Sequence, residues 1–257
     1  MTEARGVDLA VTDSGSGEPA LCWGHGFGSC VANEAAFLFD WRRLAERHRL
    51  VRWDARGHGR STGTADPADY HWRELARDLV ALADGLGIGR FVAGGDSMGA
   101  ATALHAAVDA PDRVVGLLLA LPPTAWETRT ETEYAQAADT VEQHGVDAYV
   151  EEWNARPVPK ILEPIAEIYQ FTPAVPAELF PSALRGAAAS DLPSSDQVEA
   201  ITVPTLILAW DTDPGHPLST AERLHELLPA SELHVAHELA DIGPWTERVV
   251  AFLDRLT

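Results

Sequence analysis

The stretch Phe91-Val92-Ala93-Gly94-Gly95-Asp96-Ser97-Met98-Gly99-Ala100 constrains this chain more than any other. An apolar run suited to a strand enters a glycine turn, and a helix pattern with Ala100, Ala101, Leu104 and Ala107 leaves it. Within the turn, Gly95-Asp96-Ser97-Met98-Gly99 reads G-x-S-x-G. A strand that turns sharply into a helix brings the two backbones nearly into contact, so small residues must flank the apex. The apex residue takes a strained conformation that lifts its side chain clear of the sheet. A serine hydroxyl placed there sits at a helix N-terminus, whose amides and dipole favour developing negative charge.

The 257 residues suffice for one large α/β domain with a full core. An apolar fraction of 46% and a charged fraction of 23% are those of an ordinary globule. The formal net charge of −20 repels phosphate backbones and anionic membrane surfaces, so neither nucleic acid nor membrane is an expected partner. Schiff-base or pyridoxal chemistry has one lysine to use, Lys160, set in the proline-rich run Arg156-Pro157-Val158-Pro159-Lys160. No cofactor is expected. Cys22 and Cys30 have neither metal-ligand nor disulfide-framework spacing, and Cys22 falls in an apolar strand as a small core residue. Met1-Thr2-Glu3-Ala4-Arg5 leads into no apolar run, and no stretch approaches a membrane span, so a cytoplasmic protein is expected.

Taken in order, the chain alternates strand and helix patterns. A short alternating segment near Val7 to Thr12 comes first, then the run Ala20-Leu21-Cys22-Trp23, which ends in Gly24-His25-Gly26-Phe27-Gly28. A helix is expected from Ala35 to His48, with Phe37, Trp41 and Leu44 on one face. Leu50-Val51-Arg52-Trp53 gives way to Asp54-Ala55-Arg56-Gly57-His58-Gly59-Arg60-Ser61, and Trp72, Leu75, Leu79 and Leu82 recur at helical spacing between Tyr70 and Leu86. Val114 to Leu121 is another buried strand. From Pro122 to about Ser195 the pattern becomes helical, proline-broken and rich in scattered aromatics. Strand-helix alternation then returns with Val203 to Ala209, Ser219 to Leu228, Leu233 to Ala236 and Trp245 to Leu256. This alternation predicts an α/β fold: a mostly parallel central sheet with helices on both faces. Residues 1–121 and 196–257 would form the core, and 122–195 a helical lid over the sheet's C-terminal edge.

Along its whole length the chain resembles the α/β-hydrolase fold superfamily, and in particular its capped small-molecule esterases, lactonases and carbon–carbon bond hydrolases. Four segments carry the resemblance: Gly24 to Gly28, Asp54 to Ser61, Gly95 to Gly99, and Trp210-Asp211-Thr212-Asp213-Pro214. It implies that Ser97 is a nucleophile forming an acyl-enzyme, and that the backbone N–H groups of Phe27 and Met98 form the oxyanion hole. It also implies that Asp213, or Asp211 two residues earlier, is the acid that orients a histidine. His25 and His58 lie in loops that shape the pocket in this family.

The histidine is where the chain departs from its relatives. They carry a Gly-His loop between the last strand and the last helix, whereas here the segment reads Leu233-His234-Val235-Ala236-His237-Glu238-Leu239-Ala240-Asp241-Ile242-Gly243-Pro244-Trp245. Counting forward from the strand puts Asp241 at the usual place; counting back from the helix puts His237 there. His237 is taken as the general base, with His216 in Asp213-Pro214-Gly215-His216-Pro217 as the alternative. A metal site built from His234, His237 and Asp213 is disfavoured, because side chains at and beyond a strand end diverge.

The segment 122–195 holds more carboxylates than basic residues, most of them suited to the solvent face of its helices. A small, neutral, partly apolar ester or lactone is therefore the expected substrate, with carbon–carbon bond hydrolysis open to the same triad. The competing reading is a hydrolase-fold protein with an altered triad, acting as a binding module or a non-hydrolytic biosynthetic catalyst. A nucleotide-dependent oxidoreductase is set aside, because Gly94-Gly95-Asp96-Ser97-Met98-Gly99 does not fit G-x-G-x-x-G.

Overall fold

The computed structural model describes residues 1–34, 38–129, 131–167 and 169–256. A hairpin of β1 (Thr2–Ala4) and β2 (Val7–Leu9) stands apart from the main sheet. The alternating segment near Val7 therefore splits at Ala10, and its second half, β3 (Val11–Ser14), joins the main sheet as an antiparallel edge strand. The remaining strands are β4 (Ala20–Gly24), β5 (Leu50–Trp53), β6 (Phe91–Asp96), β7 (Val114–Ala120), β8 (Thr205–Trp210) and β9 (Ser231–Ala236). The seven strands lie in the order β3-β5-β4-β6-β7-β8-β9, and all neighbours after β3 and β5 pair in parallel. The register aligns Gly24 with Gly95, Asp96 with Ala120 and Trp210 with Ala236, so the loops carrying the sequence motifs leave the sheet along one edge.

Parallel strands bury both faces, and β7 shows how. Leu117 and Leu119 point into one core layer, and Leu118 and Ala120 into the other. The first layer is closed by α2 (Trp72–Gly85), α3 (Met98–Asp109) and α8 (Leu218–Leu227), the second by α1 (Trp41–Arg47) and α9 (Trp245–Asp254). Trp72, Leu75, Leu79 and Leu82 are all buried, as their helical spacing predicts. Each such side chain contributes about 1.5–3 kcal/mol of apolar burial. Helix α1 begins later than expected: Asp40 caps it by accepting from the Arg43 N–H at 2.9 Å, and Leu44 is its buried residue. The first part of the expected helix, with Phe37, lies outside the described residues.

Between β7 and β8 the chain forms α4 (Glu131–His144), α5 (Val146–Asn154), α6 (Phe180–Ala188) and the short α7 (Ser195–Glu199). Helices α4 to α6 share a small apolar cluster of Ala138, Val141, Tyr149, Phe180 and Leu184, against which Phe27 packs. Two backbone hydrogen bonds fix this stretch to the loops after β4 and β5: Gly59 N–H donates to Ala174 at 2.6 Å and Ala174 N–H to Gly28 at 2.7 Å. Surface carboxylates account for part of its acidity, as where Asp139 and Glu142 flank Arg185. Among the described residues, no helix is long and apolar enough to cross a membrane.

Candidate active site

Ser97 sits between the end of β6 and the start of α3 with φ 51° and ψ −112°, a backbone conformation that non-glycine residues rarely adopt. The crowding that imposes it is visible at Gly99. A Cβ there would fall on the carbonyl oxygen of Gly24, and one on Gly95 would meet that same oxygen at 2.6 Å. Strand β4, strand β6 and helix α3 converge at this point closely enough that only glycine fits. Ser97 N–H donates to Ala120 at 3.0 Å, which ties the turn to the next strand.

The Ser97 hydroxyl lies 2.9 Å from His216 Nε2, and His216 Nδ1 lies 2.8 Å from Asp213 Oδ2. Both contacts are satisfied when Nδ1 carries the proton: it donates to the carboxylate, and Nε2 accepts from the hydroxyl. Asp213 accepts two further hydrogen bonds, from Trp210 Nε1 at 3.0 Å and from the Gly215 N–H at 2.9 Å. Burial pushes this carboxyl up. The hydrogen bond and charge of His216, helped by Trp210 and Gly215, outweigh burial and hold it below the ordinary carboxylate range. The loop reverses tightly: Thr212 takes φ 67°, and His216 N–H donates back to the Asp213 carbonyl at 3.2 Å. Thr124 N–H grips it from the other side, donating to Gly215 at 3.2 Å.

His237, expected as the general base, is not brought to Ser97. Strand β9 ends at Ala236 in register with Trp210, so the next residue falls beside Asp211. There the His237 Nδ1 meets Asp211 Oδ2 at 2.8 Å with 67% of its side chain exposed. Its backbone N–H donates to Asp241 Oδ2 at 2.9 Å, which fixes that carboxylate outside the site as well. Asp211 is thereby paired with His237, whereas Asp213 is the carboxylate that contacts His216. His234, within β9, faces Arg248 and Glu232. Among the described residues, no group of three or more His, Cys, Asp or Glu could hold a metal ion.

Phe27 and Met98, expected as the oxyanion donors, lie after β4 and at the start of α3. Met98 is the first residue of α3, where a backbone N–H has no acceptor within the helix. Phe27 is half-buried, edge-on to Tyr134 at 5.3 Å and stacked on Phe180 at 6.0 Å. His25 and His58 serve as loop anchors. His25 Nε2 accepts from the Ala55 N–H at 2.9 Å while its Nδ1 donates to Gly26 at 2.8 Å, and His58 Nδ1 donates to Arg56 at 2.9 Å. Burial lowers both rings, His25 to about 4 and His58 to about 3, so both are neutral at neutral pH.

Two further ionisable groups bear on this neighbourhood: Asp96, which precedes Ser97, and Tyr169, which feels the charges of Asp213 and Asp96. Tyr169 lies on the stretch between α5 and α6. Its phenol is pushed up to about 12 by burial and by the charges of Asp213 and Asp96. Asp96 itself, the variable residue of the G-x-S-x-G turn, sends Oδ2 against Gly26, where a Cβ would meet it at 2.7 Å. The only sequence signal for Asp96 is its place next to Ser97.

A family profile described as alpha/beta hydrolase fold matches residues 19–142. A Klebsiella pneumoniae protein that bears the name carbamate hydrolase RutD is 30% identical over 220 residues, covering 82% of this chain and 78% of its own length. Among solved structures, the enol-lactonase from Burkholderia xenovorans LB400 superposes with a TM-score of 0.82 at 22% identity, covering 98% of both chains. A thermophilic esterase from Thermogutta terrifontis superposes with a TM-score of 0.76 at 26% identity, covering 99% of this chain and 95% of its own. With the nucleophile turn, the parallel sheet and these relatives together, the chain belongs to the α/β-hydrolase fold family of hydrolases.

Proposed function

We propose that this chain is a serine hydrolase that cleaves a small neutral carboxylic ester or lactone, with Ser97 as nucleophile, His216 as general base and Asp213 as the acid that orients it. One observation carries the reading: Ser97 Oγ, His216 and Asp213 are linked by contacts of 2.9 and 2.8 Å, in the order that proton transfer needs. In the first step Oγ attacks the acyl carbon and its proton passes to His216 Nε2. The N–H groups of Phe27 and Met98 receive the oxyanion; each such donor supplies roughly 3 kcal/mol of transition-state stabilisation. His216 then gives its proton to the leaving oxygen. Water, deprotonated by the same ring, releases the acid from Ser97. Asp213 stays ionised throughout and stabilises the imidazolium.

The helical stretch 122–195 is read as a lid, its Phe171 packed against Gly28 and its Tyr134 against Phe27 beside the oxyanion donors. The absence of a Gly-His pair between β9 and α9 is the ground for reading the triad as incomplete, and with His216 in the role that ground falls away. A carbamate, the substrate class in the name of the Klebsiella relative, passes through the same tetrahedral species and falls within the proposal.

A fluorescent phosphonate provides the test. It should label the wild-type chain at Ser97 and fail on Ser97→Ala, and short-chain p-nitrophenyl esters should be cleaved equally well in the presence of a chelator. A wild-type chain that neither reacts with the phosphonate nor cleaves any of these esters would sink the proposal.

A further inference from the structure

Among the described residues, Asp96 forms no salt bridge with a cation. Its Oδ1 is buried and has no hydrogen-bond partner, while Oδ2 lies against Gly26, the residue before the oxyanion donor Phe27. The residue as a whole keeps partial exposure, as does Ser97 beside it. The charged and titratable groups around it come from every neighbouring element. Glu34 follows β4, Arg52 lies on β5, Tyr169 lies in the lid, and Asp213 with His216 follows β8. The one fixed cation in this set is committed elsewhere, because Arg52 Nε donates to Glu34 Oε2 at 3.1 Å and its Nη2 to the same oxygen.

A bare carboxylate in this place would be costly in two ways. It would lack solvation on Oδ1, and it would stand beside a carbonyl oxygen that becomes negative during the reaction. Burial, and after it the nearby charge of Glu34, raise this carboxyl well above the ordinary range, outweighing the backbone N–H groups of Asp96 and Gly26 and the charge of Arg52, which lower it. The protonated form has no charge to desolvate or to oppose the oxyanion, leaves Oδ1 as a neutral carbonyl oxygen that costs less to bury, and turns Oδ2 from an acceptor into a donor.

We propose that Asp96 stands in the site as a neutral carboxylic acid and donates a hydrogen bond from Oδ2 to a substrate oxygen on the carbon next to the scissile carbonyl. Asp96 then sets specificity: acyl groups bearing a neutral ether, hydroxyl, keto or enol oxygen at that carbon gain a partner that plain alkanoyl groups lack. A substrate carboxylate at the same position gains less, since it sits close to Asp213 and Glu34. This inference rests on Ser97 being the nucleophile, and it deepens that reading by naming the acyl class.

The experiment compares p-nitrophenyl methoxyacetate with p-nitrophenyl butanoate, which differ by an oxygen in place of a methylene. The methoxyacetate-to-butanoate ratio of kcat/KM is measured for wild type, Asp96→Asn and Asp96→Leu, so that the intrinsic reactivity of the two esters cancels between variants. The ratio should fall by about tenfold in Asp96→Leu, the worth of one neutral hydrogen bond, and be retained in Asp96→Asn, whose amide still donates. Infrared spectra of the substrate-free proteins at neutral pH should show a protonated-carboxyl band in wild type that is lost in Asp96→Asn. A general packing role for Asp96 would depress both esters alike and leave the ratio unmoved. An unchanged ratio in Asp96→Leu, with Ser97 still labelled by the phosphonate, overturns the inference alone; so does a wild-type minus Asp96→Asn difference spectrum with no protonated-carboxyl band, the difference removing any band from Glu34 or Asp78. Failure of the wild-type chain to label overturns the nucleophile assignment and this inference with it.

Discussion

Asp213 and His216 stand three residues apart on one loop, and the carboxylate holds the ring of its own neighbour at 2.8 Å. In the proposed triad the acid and base form a local unit. Its geometry is set by a single turn after β8 and by the Trp210 N–H beneath it. Nothing from the segment between β9 and α9 is needed to complete it.

His216→Ala should therefore lower kcat for p-nitrophenyl esters by roughly four to six orders of magnitude, the range seen when a serine hydrolase loses its base. His237→Ala should leave it within about twofold, because an exposed ring paired with Asp211 contributes little. Combining Ser97→Ala with His216→Ala should cost little beyond either alone, since the members act as a unit. If His237→Ala proved as damaging as Ser97→Ala, the assignment of the base would be wrong.

The two carboxylates of the same loop should part in the same way. Asp213→Asn replaces the acceptor of the His216 Nδ1–H with an amide and favours the wrong tautomer, a change worth about 10⁴-fold in kcat. Asp211→Asn removes only the contact with His237 and should change kcat by less than about twofold. Steady-state kinetics on the two purified variants decide it; equal losses would mean that Asp211 takes part in the reaction.

The fold and half of the site were legible in the residues because their causes are local. The glycines around Ser97 announce a strand and helix in near contact, and the apolar runs of β4, β6, β7 and β8 announce a sheet buried on both faces. Asp213 could be placed by its distance from the end of β8. The proposed base, His216, was open only as the alternative, because the relatives' Gly-His loop is absent and the segment between β9 and α9, where they carry it, begins with His237. A signal was nonetheless present: Asp213-Pro214-Gly215-His216 is a turn sequence, with proline and glycine at the central positions. Such a turn carries its fourth residue back over its first. Asp96 and Tyr169 were not legible, since their bearing on the site depends on which segments the tertiary fold brings beside Gly26 and Asp213.

The crowding at the nucleophile turn gives a stability prediction. In Gly99→Ala the new methyl meets backbone, the Gly24 carbonyl, so no side-chain rotation can relieve it. A loss above about 4 kcal/mol is expected, enough to abolish cooperative thermal unfolding or soluble expression. Gly89→Ala is the control: it has open space around its Cβ position and should shift stability by less than about 0.5 kcal/mol. Comparable melting temperatures for the two variants would contradict the close approach of β4 and α3.

The buried pair His25 and His58 should make the protein sensitive to mild acid. Burial lowers His25 from 6.5 to about 4 and His58 from 6.5 to about 3, whereas in the unfolded chain both titrate near the ordinary value. Between 6.5 and about 4 the unfolded state thus binds protons that the folded state refuses, and stability falls as pH falls through that window. Each ring contributes a slope of up to about 1.4 kcal/mol per pH unit. Asp96, Glu34 and Asp78 act in the opposite sense: their carboxyls are raised by burial, so the folded state binds the extra proton and gains stability on acidification. The prediction accordingly concerns a difference between two proteins. Urea unfolding of wild type and His25→Gln is measured at intervals across the window. The variant, less stable at neutral pH because the Ala55 N–H loses its acceptor, should lose stability on acidification more gently by about one histidine's slope. Parallel stability curves for the two proteins would mean that His25 is not held neutral by the fold.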